Sequence, residues 1–174
     1  MKYLSLDEVE KIDSPVELHE FALHYNWDDG IEIPRAIINN KHCDKGTALM
    51  IYWLAGPMYF CQYENRKEIL RHYEAALYDL IKEIEEKYIS GFYQNKKVLF
   101  NPRYDSKNAG YDHTQTYDDK PQKQEIPDKM FEPSIPDFEW EAMGKPIKPI
   151  KKVDYKKAFK SLYNEISKLE MDDK

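Results

Sequence analysis

Four side chains in the first quarter of the chain could hold a metal ion. They are Asp28 and Asp29 in NWDDG, and His42 and Asp44 in HCDKGTAL. A hydrolytic metal centre needs several such carboxylates and imidazoles converging at fixed ligand spacing. His19 and His24 offer two more rings, but five residues apart on a helix they point about 140° away from each other. A zinc helix spaces its pair i,i+4. The bland reading is that Asp28 and Asp29 bond nearby amides in an Asx-type turn and that Asp44 caps a helix. That reading is preferred, no metal or cofactor is expected, and a metal-dependent hydrolase using Asp28, Asp29, His42 and Asp44 is the alternative. Cys43 beside His42 suggests a nucleophile, but adjacent residues seldom aim at one another, and an isolated cysteine is usually packing. Gly46-Thr47 opens a helix whose free amides could take an anion. The glycine repeats of nucleotide loops are missing, so Gly46 is read as letting another helix come close. Trp27 and Trp53 are expected in the core.

The elements that would position these groups are mostly helical. Ser5-x-x-Glu8 and Ser14-Pro15-x-Glu17 are helix-start signals, the second predicting a helix to about Asn26. IPRAIINN predicts a short helix with Pro34 at its start. Asp44 precedes TALMIYWLA, which is apolar on every side and so belongs to a central, buried helix. The longest helix is predicted from Glu64 to Ile89, with Glu83 and Lys87 as an i,i+4 pair. GFYQNKKVLFNP reads as a small β-hairpin, Phe92-Tyr93 facing Val98-Leu99-Phe100.

Beyond Phe100 the composition changes. Seven of the ten prolines fall between Pro102 and Pro149, which excludes a long helix or a central strand there. Phe131, Phe138 and Trp140 would anchor such a segment to the helices. Asp154 starts a last helix. The expected organisation is a helical core over 1–102, an extended Pro-rich arm over 103–152 packed on it, and a C-terminal helix and tail over 153–174. The fold class is mostly α: a compact bundle of short helical hairpins that resembles HEAT or ankyrin stacking.

Charge narrows the function classes. The 174 residues carry a formal net charge of −6, which argues against nonspecific binding to nucleic acid or an anionic membrane. Residues 1–50 hold ten acids against five Lys/Arg, whereas 145–160 hold seven lysines and one acid. Two cysteines suit a reducing cytosol, and the start MKYLSLDEVEK lacks the apolar run of a signal peptide. A cytoplasmic protein with a basic protein partner is expected. The contact surface is sought at Asp28, Asp29 and Glu32, or at Asp118 and Asp119.

Residues 18–56, LHEFALHYNWDDGIEIPRAIINNKHCDKGTALMIYWLAG, resemble a bacterial family of domains of unknown function. That family carries NWDDG, a following proline and a CD-x-GTAL helix start. The matching positions are Asn26, Trp27, Asp28, Asp29, Gly30, Pro34, Cys43, Asp44, Gly46, Thr47 and Trp53. In size and acidity its members resemble the immunity proteins of polymorphic toxin systems. That resemblance implies a non-enzymatic binding module that neutralises a cognate toxin; a structural scaffold is the other non-enzymatic reading.

Overall fold

In the computed structural model, residues 5–115, 121–140 and 146–149 are described, with side chains given up to Asp137. The expected final helix, the side chains of Phe138 and Trp140, and the acidic pair Asp118 and Asp119 lie outside them. The chain divides into two compact units, Met1–Pro136 and Asp137–Lys174. In the second, β1 (Phe138–Trp140) pairs antiparallel with β2 (Pro146–Pro149).

The first unit is built from α-helices. α1 (Leu6–Glu10) begins with a complete capping box, Ser5 with Glu8. Ser14 caps α2 (Pro15–Leu23) by accepting from the Glu17 amide at 3.3 Å. α2 stops short of the expected Asn26, because that residue caps the next turn instead. α3 (Glu32–Asn39) has Pro34 buried in its first turn. α4 (Lys45–Leu54) buries every residue from Gly46 to Trp53, as an all-round apolar helix must. Gly56, in the left-handed region at φ 76°, separates it from the short α5 (Pro57–Phe60).

α6 (His72–Ser90) starts eight residues later than its periodicity suggests. Asn65 accepts from the Lys67 amide and caps a single 3-10 turn, Arg66–Glu68, and Ile69 then turns extended. Ile69 is still buried, reaching the core from a loop, and Leu70 beside it is 92% exposed. The Glu83–Lys87 pair forms at 2.8 Å and is joined by Asn39 and Arg35 from α3.

α1 packs on α3, α2 on α3 and α4, and α4 on α3 and α6, so α4 is the centre of the unit. Asn40 ties this arrangement together. Its buried amide donates to the carbonyls of Val9 and Ile12, while its oxygen accepts from the His42 amide.

The hairpin expected over residues 92–100 does not form. The segment runs extended and pairs with two distant partners: Asn95 with Asp44, and Phe100 with Ser134. Burial decides this, since Tyr93, Val98 and Phe100 each sink into the core rather than facing one another. Residues 121–136 of the Pro-rich stretch lie against the helices. Met130 is fully buried, its carbonyl accepts from Trp53 Nε1 at 2.9 Å, and the Phe131 ring meets the Trp53 ring edge-on at 5.3 Å.

Candidate interaction surface

The NWDDG motif forms a 3-10 turn, Trp27–Asp29, between α2 and α3. The residue that closes it is Asn26, whose side chain accepts from the Asp28 amide at 3.3 Å. The Asx role expected of Asp28 and Asp29 therefore belongs to Asn26, and both aspartates are exposed, as is Glu32 at the start of α3. Gly30 follows at φ 100°, ψ −167°, a region essentially reserved for glycine. A Cβ there would lie 2.4 Å from Glu32 Oε2.

Two tyrosines clamp the turn. Tyr25 donates its hydroxyl to the Gly30 carbonyl at 3.2 Å, and Tyr73, from the first turn of α6, donates to the Trp27 carbonyl at 3.1 Å. The Trp27 ring packs edge-on against Tyr25, which in turn meets Phe21. Trp27 is half-buried and packs against the core rather than within it, where it was expected. Burial pushes both tyrosine hydroxyls above their ordinary value; Asp29 and Glu32 add to the push on Tyr25, and Asp28 and Glu32 to that on Tyr73. The three carboxylates thus share one field around a rigid turn.

Asp44 does something else. It is fully buried, accepting from the Gly46 amide at 2.8 Å, the Lys97 amide at 2.6 Å and the Val98 amide at 3.3 Å. The first contact caps α4 as expected; the other two fasten the extended segment to the same helix end. Burial pushes its carboxyl above the usual carboxylate range, and the amides of Lys97, Gly46 and Val98 oppose that push. Gly46 serves the same junction: a Cβ on it would sit 2.4 Å from the Val98 carbonyl oxygen. The close neighbour is extended chain, not the helix that was expected.

The four candidate metal ligands are not brought together. Asp44 spends both oxygens on backbone amides, His42 sits in the preceding turn, and Asp28 and Asp29 face solvent in another loop. Among the described residues no group of three or more His, Cys, Asp or Glu side chains is placed to hold a metal. Cys43 is buried, with its thiol pushed far up by that burial, which disarms it as a nucleophile. His19, held below its ordinary value by burial, contacts the buried Thr47 hydroxyl at 3.2 Å, whereas His24 pairs with Glu20 at 3.8 Å.

A polar group that the sequence does not announce lies between α4 and α6. Tyr52 donates to the buried Glu85 at 2.8 Å, and Lys82 pairs with its other oxygen at 2.8 Å. The adjoining cavity, lined by Cys61, Tyr78, Lys82, Glu85 and Gln124 among others, holds about 10 Å³, room for a single water at most. No substrate of ordinary size fits there.

No described helix is long and apolar enough to cross a membrane. No curated protein and no solved structure matches the chain. A family model described as a domain of unknown function, DUF4274, matches residues 13–89, from the residue before the cap of α2 through the acidic turn to the last turn of α6.

Proposed function

We propose that this chain is a non-enzymatic, cytoplasmic protein-binding module whose acidic turn receives a basic protein, in the manner of an immunity protein that occludes a bacterial toxin. The observation that carries this reading is the set of contacts that holds the turn. Asp28, Asp29 and Glu32 are exposed, yet the backbone that bears them is held by two tyrosine hydroxyls, an asparagine cap and a half-buried tryptophan. A preorganised loop loses little entropy on binding, so its charges act at small cost. Tyr73, half exposed, adds apolar area beside the carboxylates.

The packing of α1 on α3 and of α2 on α4 supports a stack of short helical hairpins behind this surface. Two free, buried cysteines suit a reducing compartment.

Co-expression with the polypeptide encoded beside this chain is the test. A stable complex and restored growth are expected, both lost when Asp28, Asp29 and Glu32 are changed to lysine. Absence of a complex with the unaltered chain would leave a structural scaffold as the better reading.

A further inference from the structure

The Pro-rich stretch crosses the helices as a strap, PQKQEIP at residues 121–127. None of its residues is fully buried. Gln124, Ile126 and Pro127 are half-buried, the others are exposed, and the chain first sinks into the core at Met130. A segment with so little buried apolar surface belongs to the part of a fold that opens first.

A short set of hydrogen bonds holds it instead. The amides of Lys123 and Gln124 both donate to the Cys61 carbonyl, at 2.7 and 3.2 Å. Gln124 Nε2 donates to the carbonyls of Tyr63 and Glu64 at 2.8 and 3.1 Å, and its Oε1 accepts from the Tyr78 hydroxyl at 3.3 Å. On the surface the Lys123 ammonium reaches Glu68 at 3.3 Å. Two residues beyond Gln124, Ile126 packs against the core. Extended peptide ligands are held in this way, by main-chain bonds for affinity and by alternate side chains for selection.

The receiving surface is a groove between α5 and α6. Three carbonyls at the end of α5 and in the turn after it supply the acceptors, and the Tyr78 hydroxyl of α6 supplies the donor. The strap roofs this groove without filling it: Gln124 and Ile126 border the small cavity together with Cys61 and Tyr78. Cys61 is 5% exposed beneath it, whereas Cys43 is packed inside the core. Proline at both ends presets the extended backbone, with Pro127 at φ −58° and ψ 135°, so a segment of this kind loses little entropy on docking.

We propose that residues 121–127 are an autoinhibitory strap. They fill in cis a groove that takes, in trans, an extended segment of a partner protein with the same pattern: lysine, glutamine, and an aliphatic residue two further on. None of these groups belongs to the acidic turn, so the groove stands whether or not that turn binds a partner. A tethered occupant competes at an effective concentration on the order of millimolar, so the trans segment binds weakly until the strap is loosened.

Thiol modification of the full chain by an aromatic disulfide reagent, read at each cysteine by mass spectrometry, tests the opening. Cys61 is expected to react at least about ten-fold faster than Cys43, and about ten-fold faster again in Gln124→Ala, with Cys43 unchanged. Equal rates at the two cysteines of the unaltered chain would mean that the strap opens only when the whole unit unfolds, and would overturn the proposal. Docking is read by fluorescence anisotropy with a labelled synthetic peptide of residues 121–128, standing for the partner's segment. It should bind Lys123→Ala/Gln124→Ala at least about ten-fold more tightly than the unaltered chain and slow Cys61 modification in that variant. The same peptide with alanine in place of its lysine and glutamine should not bind. No binding to the loosened variant, or equal affinity for the two peptides, would refute docking in this groove.

Discussion

Single residues in this protein are fixed by backbone groups far away in sequence. Asp44 satisfies one amide of its own helix and two of a segment more than fifty residues on. Asp44→Ala therefore does more than remove a cap: it strands the amides of Lys97 and Val98 in the interior, and a loss of about 3 kcal/mol in denaturant unfolding is expected. Asp44→Asn, which keeps an acceptor, should lose less. Gly30 and Gly91 make a second pair. Both have positive φ, but Gly30 sits in a glycine-only region against Glu32, whereas a Cβ on Gly91 meets nothing within 4 Å. Gly30→Ala should cost about 2 kcal/mol, and Gly91→Ala about 1, by the same measurement. The caps at Ser5, Ser14 and Asp44 were legible because a cap is a local rule, one side chain and an amide two or three residues on. The clamps on the turn by Tyr73, the Gly46–Val98 contact and the Asp105–His113 pair were not, since no spacing in the chain announces them.

At the scale of elements, the helices owe their places to burial and the connecting segments owe theirs to a few specific bonds. Trp53 is the clearest case, joining α4 to residues 121–136 through one hydrogen bond and one ring contact. Trp53→Phe keeps the ring but leaves the Met130 carbonyl unpaired. Trypsin should then cut at the exposed Lys129 well before it does in the unaltered protein, with α4 and α6 retained in circular dichroism. Equal cleavage rates would show that this bond does not hold the segment. Between α3 and α6 the decisive group is Glu83. Burial raises its carboxyl, but Lys87, Asn39 and Arg35 outweigh that and hold it below its ordinary value. Such a group stabilises the fold fully above the unfolded glutamate value of about 4.3 and ceases to do so as the pH falls through its lower folded value. Glu83→Gln should remove that part of the acid dependence, measured as the slope of stability as the pH falls below about 4.3. The helical class, the buried α4 and the Glu83–Lys87 pair followed from periodicity. The start of α6 and the fate of residues 92–100 did not, because an apolar residue such as Ile69 or Val98 reads alike whether it is buried from a helix, a hairpin or a lone extended strand.

For the whole molecule, the proposed reading joins the net charge of −6 to a basic partner and seeks the contact at the acidic turn. Asp28, Asp29 and Glu32 stand exposed on a turn held by the hydroxyls of Tyr25 and Tyr73. Complementary charge of this kind accelerates encounter and makes it sensitive to salt, while the exposed position of the carboxylates leaves stability almost untouched when they are reversed. The most direct measurement is the association rate of the adjacently encoded polypeptide with this chain as a function of ionic strength. It should be set beside the same measurement on Asp28→Lys/Asp29→Lys/Glu32→Lys. Binding through the acidic turn predicts an unaltered chain whose association slows steeply with salt, and a variant of native melting temperature that associates at least about ten-fold more slowly at low salt. Identical rates and identical salt dependence for the two proteins would contradict it.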